Sequence, residues 1–183
     1  MDNYKWKVLS TTYVHKSPWA TLRSERCEMP DGTIVDDYYV LEYPNWANAV
    51  ALTTDNKIVL IRQYRHAAGI LSLELPGGVI EDGEGRDEGM RRELLEETGY
   101  EFNSIELIST VYANPSTAAN VTYCYLARGG RKVQEQHLDE HERIEVFEYT
   151  IDEVKQLLAE NKIPQALHCT GLFYALMKLG EIS

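Results

Sequence analysis

Cysteine, basic charge and long apolar runs are all scarce in this chain. Its 183 residues include three cysteines, Cys27, Cys124 and Cys169. The number is odd and no C-x-x-C occurs, so neither a disulfide framework nor a zinc site is indicated, and a reducing interior is the simpler setting. Lysine and arginine total 18 against 29 aspartates and glutamates, a formal net charge of −11. That balance disfavours nonspecific binding to nucleic acid or to an anionic membrane. No run of 18 apolar residues is present, and the opening MDNYKWKVL lacks the apolar core of a secretion signal. A cytoplasmic location is therefore expected. Repeats, low-complexity tracts and dividing linkers are missing too, so a single domain is expected over 1–183. A chain of this length can bury roughly 70% of its unfolded surface.

What is present begins as β-structure. Residues 6–14, 19–29 and 34–42 read as strands, with Pro30-Asp31-Gly32 as a turn, giving an amino-terminal β extension over about 1–43 ahead of a core over about 44–183. Residues 47–53 and 57–64 are β-rich and joined at Thr54-Asp55-Asn56, which suggests a hairpin. A short strand at 71–75 stops at Pro76-Gly77-Gly78, and further strands are expected at 105–112, 122–127 and 143–149. Thr150 with Glu153 makes a capping box for a helix to about residue 160, and a last amphipathic helix spans roughly 166–179. Mixed strands with few helices fit an α+β sandwich.

Residues 78–100, GVIEDGEGRDEGMRRELLEETGY, carry the most information. From Asp87 the segment is helix-like, with Met90 and Leu94 one turn apart and Gly99 suited to the position just past the end. Glu93, Glu96 and Glu97 stand at i, i+3 and i+4 and point the same way. Like charges at these spacings cost about 0.2–0.5 kcal/mol per pair on an exposed helix. A divalent cation reverses that sign, and hard ions such as Mg2+ take oxygen ligands while keeping waters and substrate phosphates in their shell. The bland alternative is a solvated acidic face. Three details oppose it. Gly77-Gly78 suits close backbone approach and a free carbonyl ligand. Glu84 precedes the helix and can fold back to the cluster. Arg92 lies about 100° round the helix from Glu93, placed to orient the carboxylates from the flank.

These residues resemble the signature of the Nudix hydrolases, G-x5-E-x7-R-E-U-x-E-E-x-G-U, where U is a bulky aliphatic residue. Gly78, Glu84, Arg92, Glu93, Leu94, Glu96, Glu97 and Gly99 fall on the pattern, while Tyr100 replaces the usual aliphatic residue and reads as a packing variation. The resemblance implies the Nudix α/β/α sandwich with a mixed β-sheet. It also implies a hydrolase dependent on Mg2+, with Mn2+ as the other option. The metal would be held by the Gly77 carbonyl and by Glu93, Glu96 and Glu97, with Arg92 serving catalysis beside them.

The longer run 61–84, IRQYRHAAGILSLELPGGVIEDGE, looks like the branch of ADP-ribose and nucleoside-diphosphate-sugar pyrophosphatases. A proline about 16 residues past the last box glycine is a second marker, met here by Pro115. Members commonly continue as Ser-Pro-Gly with an acidic residue. This chain instead reads Asn114-Pro115-Ser116-Thr117-Ala118-Ala119-Asn120, which leaves the substrate details open. Arg62 and Arg65 become candidate diphosphate contacts, with edge charges as the plainer reading. In that branch a loop before the last main strand supplies a catalytic glutamate and a metal ligand. The resemblance carries the base role to Glu140 and the ligand role to Glu142, and a solvated loop is the alternative. His137 and His141 would suit a transition metal if the loop were helical, and otherwise read as ordinary loop histidines.

The expected reaction is hydrolysis of the diphosphate in a small nucleotide substrate, ADP-ribose or another nucleoside diphosphate sugar, to a nucleoside monophosphate and a sugar phosphate. Glu140 or a box glutamate, Glu96 or Glu97, would take the proton of the attacking water. A base platform needs an aromatic residue or an arginine; Trp6, Tyr13, Trp19, Tyr38, Tyr39, Tyr43 and Trp46 are available, and Trp46 is the one singled out. The resemblance also implies a homodimer packed through the amino-terminal strands. Two other readings stand beside this one: a Nudix enzyme for NADH, dinucleoside polyphosphates or nucleoside triphosphates, and a sensor that binds a nucleotide sugar without cleaving it.

Overall fold

A computed structural model describes residues 4–18 and 20–182; Trp19, a candidate base platform and the start of an expected strand, lies outside them. The chain divides into two units, residues 1–44 with 112–120 and residues 45–111 with 121–183.

In the first unit β1 (Lys7–Lys16), β2 (Thr21–Glu28) and β3 (Ile34–Glu42) form an antiparallel sheet in that order. The turn expected at Pro30-Asp31-Gly32 closes with Gly32 N–H donating to the Met29 carbonyl at 2.9 Å. Charged pairs lace the strands, with Arg23 reaching Glu25 and Glu42 and Arg26 reaching Asp36. Cys27 and Val40 are the buried apolar residues of this sheet. β1 is exposed along its whole length, Val8, Tyr13 and Val14 included. The segment that departs from the Ser-Pro-Gly pattern belongs to this unit. Thr117 and Ala118 N–H both donate to the Asn114 carbonyl, while β3 pins the segment through Leu41 N–H to the Thr117 carbonyl (2.7 Å) and the Tyr38 hydroxyl to the Ser116 carbonyl (2.7 Å).

The second unit is built on a mixed sheet. β4 (Trp46–Thr53), β5 (Ile58–Arg65), β9 (Val121–Lys132), β7 (Tyr100–Glu101) and β10 (Glu145–Tyr149) run in the order β10-β5-β4-β9-β7, with β6 (Ile70–Glu74) on β5 and β8 (Ser104–Tyr112) on β9. β4 and β9 are parallel; β5 pairs antiparallel with β4, β6 and β10. Helix α1 (Arg86–Thr98) covers one face, where Met90 and Leu94 cluster with Ala47, Ala49, Ala51, Val59 and Tyr125. The alanines on β4 leave room for the helix to lie close. Helices α2 (Ile151–Ala159) and α3 (Ala166–Leu179) cover the other, with Val154, Leu172 and Ala175 against Val50, Leu52, Leu60 and Leu126. Burying each such large side chain stabilises the fold by about 1.5–3 kcal/mol. The result is the α/β/α sandwich expected from the sequence. No helix among the described residues is long and apolar enough to cross a membrane.

Local chemistry accounts for most boundaries. Thr150 and Glu153 make their reciprocal capping bonds, and Gly99 ends α1 at φ 76°, donating to the Leu95 carbonyl. β9 departs from expectation by running past Ala127 to Lys132, through Gly129 at φ 70°. Its far end pairs with the two-residue β7, which single-sequence patterning does not reveal.

β4 and β5 pair only at Ala51–Val59 and Leu52–Ile58. Where they part, residues 76–80 take the place beside β4: Ala49 N–H donates to the Pro76 carbonyl, Ala47 N–H to Gly78 and Ile80 N–H to Asn45. Residue 77 must be glycine here. Its φ is 150°, and a Cβ would come within 2.1 Å of the Ala47 carbonyl oxygen.

Just before this segment lies a buried polar cluster. Glu74, fully buried, is gripped by Arg65 through Nε at 2.9 Å and Nη2 at 2.5 Å. His168 accepts the Leu75 N–H on Nδ1 at 3.1 Å and is therefore neutral, with its proton on the other nitrogen. Burial pushes the His168 pKa down to about 4, the Glu74 charge opposing. Burial also disfavours the Glu74 anion, yet the Arg65 contacts hold its pKa below the ordinary value. Both shifts have one consequence. Between pH 6.5 and 4 the unfolded chain binds a proton at His168 that the folded protein refuses, so stability falls as pH drops through that window, and the depressed Glu74 adds loss below it. We expect a decline on the order of 3 kcal/mol from His168, read as urea midpoints against pH. His168→Asn, which can still accept the Leu75 N–H, should flatten the profile; an unchanged slope would show that His168 does not set it.

Candidate active site

Helix α1 presents its acidic residues where the 76–80 segment meets it. The buried residues of α1 are Gly89, Met90, Leu94, Glu97 and Thr98, so a carboxylate sits on the apolar face. Glu97 is 4% exposed. It accepts the Gly77 N–H at 2.7 Å, which ties the helix to the strand-like segment. Burial drives its pKa well above the usual carboxylate range; the Gly77 bond and Arg65 oppose this, while Glu93 and Glu142 add to it. Burial also raises Glu93, against Arg92, with Glu96 and Glu142 adding. Burying an under-compensated carboxylate costs several kcal/mol, more than one large apolar residue returns. A solvated acidic face would carry no such cost.

Arg92 is the clamp of the cluster. Its Nε and Nη2 grip both oxygens of Glu84 at 2.9 and 3.1 Å, its Nη1 reaches Glu93 at 2.8 Å and Glu96 at 3.0 Å, and its Nη2 also donates to the Val79 carbonyl at 3.0 Å. Glu84 folds back from its loop onto Gly89, where a Cβ would meet its carboxylate at 2.6 Å. The Arg92 bonds hold the Glu84 pKa below the ordinary value. Gly78 faces the Glu93 carboxylate just as closely.

The expected ligands Gly77, Glu93, Glu96, Glu97 and Glu142 do not form one cage. Among the described residues no three carboxylate, imidazole or thiol groups converge on a common point. Arg92 draws Glu93 and Glu96 to itself, and Glu97 turns to Gly77. The donor chemistry nevertheless suits a hard divalent cation. It is oxygen throughout, the neighbouring Pro76 and Gly78 carbonyls are spent on β4 while Gly77 lies between them, and two of the anions are destabilised by burial and by each other.

The loop after β9 is bonded to the end of α1, with His137 N–H on the Glu96 carbonyl. Of its two candidate glutamates, Glu142 is the one whose charge acts on Glu93, Glu97 and Arg65. Glu140 is exposed, with its carbonyl accepting from Arg143. His137 and His141 are exposed loop residues. The two candidate arginines part company. Val59 faces α1, and Arg65 follows it three strand periods on; Ile58 and Leu60 face α3, and Arg62 follows them. Arg62 lies opposite Glu145, bonding it at 2.6 Å, and stacks over Phe147. Arg65 stays on the box side, its guanidinium shared with Glu74. Trp46 opens β4, bridged to Val79. Tyr100, the departure from the box pattern, packs in the α1 core and gives its hydroxyl to Glu148 at 2.6 Å, something an aliphatic residue cannot do. Sequence reasoning passed over Gln136, whose amide bonds the Glu97 carbonyl at 2.6 Å; nothing in its local sequence marks it.

A mixed sheet between helices sets a glycine pair against a carboxylate-bearing helix clamped by one arginine, an oxygen-rich arrangement suited to a hard cation and a phosphorylated substrate. Residues 44–168 match the NUDIX domain, and the chain belongs to the Nudix family. Residues 6–41 match the nucleoside diphosphate sugar hydrolase N-terminal domain, in keeping with the branch that residues 61–84 resemble. Among relatives, the chain is 30% identical to a methanol dehydrogenase activator of Bacillus methanolicus over 87% of this chain and 86% of that one. It is 26% identical to an ADP-ribose pyrophosphatase of Bacillus subtilis (strain 168), covering 97% and 96%. A crystal structure of an ADP compounds hydrolase superposes over the whole of both chains with a TM-score of 0.85 at 22% identity, a likeness of fold.

If the guanidinium is the clamp, a lysine cannot replace it, since one ammonium cannot reach Glu84, Glu93, Glu96 and Val79 together. Arg92→Lys is expected to lower the thermal midpoint by about 2–8 °C. A midpoint equal to that of the parent by calorimetry would refute the clamp.

Proposed function

We propose that this Nudix hydrolase cleaves the diphosphate bond of a nucleoside diphosphate linked to a sugar, with ADP-ribose the first candidate, in a Mg2+-dependent reaction that Mn2+ can also support. The observation that carries this reading is the buried Glu97 carboxylate, held by Gly77 and crowded by Glu93 and Glu142. The relatives named for ADP-ribose and ADP compounds support the substrate class.

The Gly77 carbonyl with Glu93, Glu96, Glu97 and Glu142 would hold a divalent cation, which when bound would supply charge neutralisation for the diphosphate oxygens and a more acidic water. The chain's own residues do the rest. Arg92 keeps Glu93 and Glu96 from splaying apart. The Gly77 N–H, bonded to Glu97 Oε2, fixes the orientation of that carboxylate. Arg65, on the box side of β5, offers positive charge to a diphosphate oxygen. A carboxylate of the acidic loop, Glu140 as the sequence resemblance has it, takes a proton from water as the water oxygen bonds to phosphorus. The phosphoanhydride P–O bond breaks, and the electron pair leaves on the departing phosphate. AMP and ribose 5-phosphate would be the products from ADP-ribose. The exposed apolar residues of β1 fit a homodimer formed through the amino-terminal strands, and a light-scattering mass of one chain would count against it.

Phosphate release coupled to alkaline phosphatase, across ADP-ribose, ADP- and GDP-sugars, NADH and nucleoside triphosphates with Mg2+, tests the substrate class. Turnover confined to triphosphates or NADH would overturn it; binding without turnover would favour a sensor. Glu97→Gln is expected to lower kcat by at least ~100-fold. In metal-free protein the same change should raise the thermal midpoint by a few degrees, because it removes a buried anion. Parental turnover in that variant would sink the assignment of Glu97.

A further inference from the structure

We infer that Gln136 is a positioning residue that holds the acidic loop against the box helix through its side-chain amide. The last carbonyls of an α-helix have no partner within the helix. In α1 they are met by the segment that follows β9. His137 N–H donates to the Glu96 carbonyl at 2.8 Å, and just past the helix end Val133 N–H donates to the Gly99 carbonyl at 2.9 Å. Gln136 adds to these with its side chain. Nε2 donates to the Glu97 carbonyl at 2.6 Å and to the Ile144 carbonyl at 3.1 Å. An amide nitrogen carries two hydrogens, and here each has a carbonyl.

The two acceptors matter because of where they lie. Glu97 is the buried carboxylate of the box. Ile144 is a buried residue at the exit of the acidic loop, next to β10, and Gln136 itself stands at the loop's entrance. One side chain therefore closes residues 137–143 into a ring and seats that ring on the helix turn bearing Glu97. Inside the ring Glu142 N–H donates to the Asp139 carbonyl at 3.0 Å, and Asp139 N–H donates to the Glu142 carboxylate at 3.1 Å. These two bonds brace the ring that Gln136 closes. With Gln136 gone, Glu142 no longer has a fixed distance to Glu93 and Glu97, the two carboxylates its charge acts on.

The consequence for turnover rests on the hydrolase reading; the anchoring itself does not. Amide hydrogen exchange on the full chain reads the anchoring. In Gln136→Leu the His137 and Glu142 amides should exchange at least ~10-fold faster than in the parent, while those of β5 stay protected. Gln136→Glu keeps the shape but has no donor, so it should loosen the same two amides. Parental exchange in both variants would overturn the inference, and loosening in the leucine variant alone would assign the effect to packing. In the hydrolysis assay Gln136→Leu should lower kcat about 10-fold with KM within about twofold. In a Glu142→Gln background the same change should cost nothing further. An equal loss in both backgrounds would overturn the route through Glu142. A parent chain inactive on every nucleotide sugar would overturn the proposed substrate class alone, because the exchange experiment decides the anchoring without substrate.

Discussion

Glu97 is an anion placed where anions are disfavoured, and the Gly77 N–H is the bond that makes its placement useful. The bond exists because β4 and β5 part after a short pairing and let residues 76–80 lie along β4. It requires glycine at 77, since a side chain there would run into the Ala47 carbonyl. It also requires α1 to lie close to the sheet, which the alanines of β4 permit. The apolar burial of Met90 and Leu94 stabilises that contact enough to carry the cost of the carboxylate beside them. The helix is thus held by ordinary packing, and its least comfortable residue is spent on the site. A cation among these oxygens would turn an unfavourable local field into a favourable one.

Two arginines divide the labour around that carboxylate. Arg92 neutralises part of the cluster without entering its centre, reaching Glu84, Glu93 and Glu96 from one flank. Arg65 neutralises Glu74, three residues before Gly77 in the Glu-Leu-Pro-Gly-Gly run. The same short stretch therefore holds a structural ion pair at one end and the site's glycine at the other. His168 adds the third tie, accepting the Leu75 N–H from α3. Elements from both faces of the sheet converge on one turn, so its conformation does not depend on any single contact.

Much of this was legible in the chain before folding. The box is local: its spacing puts Glu93, Glu96 and Glu97 on one side of a helix, and capping residues mark where the helices begin and end. Strand positions followed from alternation and turns for the same reason. What lay beyond reach was register. Arg62 and Arg65 stand three positions apart, and the period of a strand sends them to opposite faces, yet only the packed sheet says which face carries the box. The resemblance assigned Glu140 and Glu142 their roles without saying which lies near the box, and nothing in the local sequence marks Gln136.

The sequence alone determined the helix, its acidic face and the family chemistry, because those depend on residues within a few turns of one another. Tertiary structure decided which carboxylate is buried, which arginine stands beside it, and which loop glutamate faces it. Burial and charge–charge distance belong to pairs of residues far apart in the chain. No local spacing encodes them until the sheet and helices bring those residues together.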